Sequence, residues 1–448
     1  MTQKNSFFSY VFFNVAGMLG LSCYILADTF FVSAALGTEG LAALNLAISV
    51  YSFLSGAGLL LGIGGASRYA VLYARGDREE GNRAFSGTFL LGLLCAAVFL
   101  LAGIFGAEQL GSLLGAEGQV LKMTAAYLRI ILCFSPCFLL NNILLAFVRN
   151  DGGHRLAMAA MIAGSFSNIL LDYLFLFPLS LGMSGAAFAT GLAPVISMGL
   201  LSLHLIRKRN GFHLRRCRLT GSMAVWLCAP GLSSLVTELA SGVTLLVFNL
   251  LLLRLVGNVG VAAYGVTANL ALVATAVFTG ISQGIQPLIS HAYGQRDRRA
   301  EGLVRNKALV LALGLSVLLF LAVLLWAPEL TAIFNRDGDR QLALLAGRSM
   351  RLYFAGFLPA GFNIVSAAYL SSSGRERGGF AISLVRGFVA LLPLVLALST
   401  LLGPDGIWLS FPAAELCAAV LTAFLLFRRE PPRQNRKSGR NREKARTA

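Results

Sequence analysis

Twelve apolar stretches divide the 448-residue chain, at about 8 to 34, 41 to 67, 84 to 106, 119 to 147, 156 to 177, 184 to 206, 226 to 256, 259 to 291, 303 to 327, 344 to 371, 379 to 402 and 406 to 427. At 1.5 Å of rise per residue, each can cross the ~30 Å hydrocarbon core of a bilayer as a helix. A backbone in hydrocarbon has no water to bond, so it is confined to structures that satisfy their own N–H and C=O groups. The expected fold class is therefore an all-α polytopic membrane protein with twelve transmembrane helices. Charged residues make up 13% of the chain, against the ~25% usual in soluble domains, and its 48 glycines suit helices packed in lipid.

The net charge of +17 would point a soluble protein towards nucleic acid, but its placement argues otherwise. Most basic residues lie at the two ends and in alternate breaks: Arg75, Arg78 and Arg83; Arg149 and Arg155; Arg207 to Arg218; Arg296 to Lys307; Arg375 and Arg377; and Arg428 onward. By the positive-inside rule these breaks and both termini are expected in the cytoplasm, with the chain in the inner or plasma membrane. The tail lacks interleaved aromatics and reads as a topology and anionic-lipid feature, which makes membrane lipids expected partners and nucleic acid not one. The apolar run from Phe7 to Leu26 is longer than a signal-peptide core and reads as an uncleaved first helix. The seven cysteines are odd in number with no metal-ligand spacing, and are expected as small core residues without disulfides.

An internal repeat organises the spans. Residues 37–80 match 257–300 at a constant offset of 220, pairing Gly37 with Gly257, Gly64 with Gly284, Tyr73 with Tyr293 and Asp77-Arg78 with Asp297-Arg298. Further on, Arg129/Arg351, Ala146/Ala368, Gly152/Gly374 and Arg155/Arg377 align at an offset of 222. Two halves of six helices must insert in the same orientation, because six is even. Parallel repeats of this kind are a transporter architecture with the substrate cavity between the lobes. The expected organisation is an N-lobe over 1–206, a linker over 207–225, a C-lobe over 226–427 and a basic tail over 428–448.

The halves differ in chemistry. Ser165, Asn168 and Asp172, in SFSNILLD, share one face of the fifth helix, because residues three and four apart are neighbours on a helix. A carboxylate at membrane depth costs about 2.5–3.5 kcal/mol on insertion scales and so faces a partner or a wet cavity. Asp28 aligns with Phe248, Tyr24 with Thr244, Asn168 with Ala390 and Asp172 with Leu394, which puts this polar set in the first half only. Counted from the helix ends, Asp28, Asp172 and Thr190 all fall in the outer half of the bilayer, with Tyr24 one turn from Asp28, so the five can meet in one lobe. Oxygen ligands of this kind can hold a small cation, with Asp28, Asn168, Asp172 and Thr190 as Na+ ligands if sodium is used. Alternatively, two close acids can take up and release a proton. A third reading is a neutral carboxyl that only joins helices.

Asp28-Thr29 ending the first helix, NILLDYLF, GAAFAT around Thr190 and SQGIQPLISHAYGQRD after the eighth helix together resemble the multidrug and toxic compound extrusion (MATE) family over roughly 8–428. Within that family the chain is most similar to the DNA-damage-inducible and archaeal branch. The resemblance implies a cation or proton site in the N-lobe formed by Tyr24, Asp28, Asn168, Asp172 and Thr190. The other branch uses acids on helices 7 and 10. Glu238 can match the first of these, but GFLPAGFNIVSAAYL has no acid, so Glu238 is expected as a substrate or accessory proton residue at most.

Gln283 and Gln286 are candidates for the cavity wall. Pro136, Pro230, Pro287, Pro359 and Pro393 are hinges or kinks inside helices. No phosphate loop, nucleophile–base arrangement or metal-ligand set is evident, so the chain is read as no enzyme, without a cofactor beyond H+ or Na+ as coupling ion. The expected function is antiport that exports organic, cationic amphipathic compounds by alternating access, performed by a monomer. A lipid-linked precursor flippase of the same superfamily is the alternative, and an intramembrane enzyme a more distant one.

Overall fold

The structure is a computed structural model that describes residues 3–334 and 339–428, with side chains described over 7–332 and 339–428. The basic tail beyond Arg428, and Arg336, lie outside the described residues. Every regular element among the described residues is helical.

The first two spans form one run, α1 (Gln3–Ala74), interrupted at Gly37, where φ 66° and ψ −154° are accessible to glycine alone without strain. α2 (Arg78–Leu113) is the third span. The fourth is α3 (Gly118–Cys133) and α4 (Ser135–Asn150), bent by 50° at Phe134. α5 (His154–Leu176) and α6 (Gly182–Ile206) complete the first half. The seventh span joins α7 (Gly221–Cys228) to α8 (Leu232–Leu255) through a tight 3-10 turn at Ala229–Gly231. α9 (Asn258–Gln295) and α10 (Arg298–Phe334) follow. The tenth span is α11 (Arg340–Phe354) and α12 (Phe357–Ser372), bent by 45°. The eleventh joins α13 (Glu376–Leu384) and α14 (Leu391–Leu402) through a π-helical turn at Val385–Val389, and α15 (Pro404–Phe427) is the last.

The twelve expected spans are all present, and most run further than hydropathy places them. α2 starts at Arg78 rather than near 84 because Asp77 caps it, accepting the Glu80 N–H at 3.3 Å. Asp297 does the same for α10 through the Ala300 N–H at 2.9 Å. The repeat is visible in the backbone: Gly152 and Gly374, offset by 222, both have positive φ (90° and 78°), and the bent fourth and tenth spans correspond. Pro136, Pro230, Pro359 and Pro393 fall within a few residues of a helix break, whereas Pro287 lies inside the continuous α9.

Two apolar cores form, one per half. The first runs from Val32 to Phe212 and the second from Phe248 to Ala414. The start of α1 crosses over: Phe7 and Val11 pack in the second core. There the helices touch backbone to backbone, since a Cβ on Gly280 would lie 2.5 Å from Val15 Cα and one on Gly284 2.8 Å from Val11 Cα. The segment between the halves is docked on the first. Phe212 is fully buried among Tyr69, Phe85 and Phe147, Asp151 Oδ2 accepts the Gly211 N–H at 2.7 Å, and the N–H groups of His213 and Arg215 donate to Asn82 and Ser86, each at 2.8 Å. The seventh span takes over at Gly221, inside the expected linker, because Thr220 caps it by accepting the Met223 N–H.

Candidate ion-coupling site and central cavity

Asn168 and Asp172 stand one turn apart on α5, both fully buried. With its amide oriented to satisfy both ends, Asn168 donates to Asp172 Oδ2 at 3.0 Å and accepts the Thr190 backbone N–H, from α6, at 3.2 Å. Asp28 reaches this group from α1, and its buried carboxyl lies beside that of Asp172. Two ionised carboxylates have no donor between them, so neighbouring buried acids of this kind are suited to sharing a proton or a cation. The Oδ1 atoms of both aspartates are buried without a protein partner. Spans one, five and six thus converge on Asp28, Asn168, Asp172 and Thr190, as the depth argument expects.

Tyr24 is placed beside them, its hydroxyl 3.4 Å from that of Tyr51. Tyr127, from α3, is buried beside Thr190. Neither Tyr51 nor Tyr127 was legible as a site residue, because an aromatic in an apolar helix carries no spacing signal. Between the halves lies a cavity of about 320 Å³ whose wall includes Tyr24, Tyr51, Ser165 and Thr190. The wall does not include Asp28, Asn168 or Asp172, so the carboxyl pair sits behind this hydroxyl screen rather than in the cavity itself.

Glu238, on α8, lines the cavity together with Ser55 of the first half. Gln283 and Gln286, on α9, also reach the wall, but their amides are spent bridging the halves. Arg149 Nη1 donates to Gln283 Oε1 at 2.7 Å; Gln286 Nε2 donates to Ser67 Oγ at 2.7 Å and its Oε1 accepts from Asn150 at 3.3 Å. A further bridge joins Arg68 Nη1 to Glu376 at 3.0 Å. All of these lie at the end of the bundle where Val11 and Val15 press on α9.

The second half holds a buried polar cluster of its own, distinct from the first-half set and not singled out by the sequence. Glu415, on α15, is 1% exposed and accepts from Arg386 Nη2 at 2.6 Å and Nε at 3.0 Å, and from Asn363 Nδ2 at 2.7 Å; Thr422 donates to Asn363 Oδ1 at 2.9 Å. The tenth span does lack an acid, but Asn363 there is held by an acid two spans later. Arg386 sits in the π-helical turn, a distortion that is frequent at functional sites, and reaches the cavity wall.

Two six-span lobes related by a parallel repeat, with a cavity between them and buried acids beside it, define a membrane transporter. The chain belongs to the MatE family, which it matches over residues 15–174 and 234–396, and this is a family of transporters rather than enzymes. It is 27% identical over 433 residues to the multidrug export protein MepA of Staphylococcus saprophyticus, covering 95% of each chain. It is 24% identical over 409 residues to MepA of Staphylococcus aureus, covering 90% of this chain and 89% of that one. In fold it resembles an outward-facing multidrug resistance MATE family transporter of the MOP superfamily, with a TM-score of 0.87 at 22% identity over 94% of each chain.

Proposed function

We propose that this transporter exports organic, cationic amphipathic compounds from the cell in exchange for H+ or Na+, as a multidrug antiporter of the inner or plasma membrane. The observation that carries the reading is the pairing of two buried neighbouring carboxyls, Asp28 and Asp172, behind the Tyr24–Thr190 screen. A proton or a sodium ion between these oxygens changes the charge of the first lobe, and the ion drives exchange to the extent that it binds one state of the lobes more tightly than the other. The names of the staphylococcal relatives support multidrug export, and the position of the acid pair accords with the DNA-damage-inducible and archaeal branch. In this reading the end sealed by Arg149–Gln283 and Arg68–Glu376 faces the cytoplasm together with both termini, and the lobes alternate between that state and one opened there.

The test is drug-induced ion flux in proteoliposomes. Ethidium added to one side is expected to drive opposite movement of H+ or Na+, with collapse of the relevant gradient stopping export. Scrambling of a lipid-linked sugar without ethidium-coupled ion flux would instead make the protein a flippase.

A further inference from the structure

Arg149 has surroundings that ion coupling leaves unexplained. It is the penultimate residue of α4, is 4% exposed and lines the central cavity. Its Nη1 meets only the neutral Gln283 Oε1, and its Nε is buried without a partner. Among the described residues no carboxylate pairs with it. Asp151 is engaged by Tyr69, His204 and the Gly211 N–H, Glu376 by Arg68, and Glu415 by Arg386. An unpaired guanidinium held out of water is costly, and one amide oxygen plus the negative end of the α4 dipole offsets only part of that. The repeat shows that this helix end does not demand a cation: the position 222 residues on is Ser371, which simply bonds Ser233 at 2.9 Å.

We propose that Arg149 is an oxyanion subsite in the cavity, taking one carboxylate or phosphate group. The guanidinium fork matches such groups with parallel charge-assisted hydrogen bonds. An oxyanion that draws Nη1 away from Gln283 also removes one bond between the lobes, so its binding and the opening of the sealed end are linked. The inference rests on reading the cavity as the transport path, and it widens the cargo beyond cationic compounds.

Equilibrium dialysis of the purified full chain against labelled 2-naphthoate, its neutral analogue 2-naphthamide, and inorganic phosphate tests this without any ion gradient, so failure here is distinct from failure of drug–ion exchange. Wild type is expected to hold naphthoate at least tenfold more tightly than naphthamide, with Arg149→Gln losing that preference and Arg149→Lys keeping part of it. Loss of affinity for phosphate alone in Arg149→Gln supports the subsite and assigns it to a free inorganic anion; loss for naphthoate assigns it to cargo. The proposal is overturned if neither anion loses affinity in Arg149→Gln. Should that variant not fold, wild type decides: a protein that binds naphthoate no better than naphthamide and holds no phosphate also overturns it.

Discussion

Gly37 and Gly257 occupy the same backbone conformation at equivalent junctions of the two halves, with φ 66° and 79° and ψ −154° and −158°. Each turns one span into the next at the same end of the bundle, and at neither would an added Cβ meet a neighbour within 4 Å. The requirement is therefore conformational, since this region is closed to residues with a side chain. Alanine at either position is expected to cost about 1–3 kcal/mol. The two effects should add, because the sites share no partner, and thermal melting of the single and double variants in detergent checks both statements.

Asp28→Asn and Asp172→Asn each preserve size and hydrogen-bonding capacity while removing the ionisable group from the carboxyl pair. Both are expected to insert normally and to lose at least tenfold in ethidium export. Resistance of a drug-sensitive host, read beside the amount of protein in the membrane, checks this; wild-type resistance from either variant would contradict the coupling scheme.

The Arg68–Glu376 pair links the halves at 3.0 Å, with both side chains less than a fifth exposed. Glu376→Arg is expected to open the sealed end by like-charge repulsion, raising thiol labelling of a cysteine placed there. Reversing both charges, with Arg68→Glu added, should restore closure at least in part. A double variant as open as the single one would assign the effect to something other than the ion pair.

Among the described residues, Glu415 is the sole carboxylate that pairs with Arg386. Breaking a buried pair from one side leaves an uncompensated charge and costs about 3–5 kcal/mol. Glu415→Gln should therefore lower the melting temperature markedly, and Arg386→Gln in the same chain should recover part of the loss.

The sequence carried the span count, the repeat and the first-half acids for identifiable reasons. Apolar length sets the spans, glycines fixed by backbone geometry mark the repeat, and Asn168 and Asp172 are local neighbours whose spacing is visible without a fold. Arg149 read only as one more basic residue at a helix end, because its partner Gln283 is 134 residues away and no periodicity joins them. Gln283 and Gln286 were candidates for the right wall but not for the bridges they form. Glu415 stood alone in its apolar run, a signal that hydropathy does not separate from a tolerated cavity acid. Its pairing with Arg386 and Asn363 exists only once three spans are packed.

The docked segment between the halves limits how they can move. Arg215 is tied to Ser86 on one lobe and Gly221 opens the first helix of the other, so five residues join these two anchors. Fully stretched, that leash reaches roughly 20 Å between its anchors. The lobes can therefore swing at this face only as far as a short tether allows, and lengthening it, rather than altering any cavity residue, would be the way to let them part further.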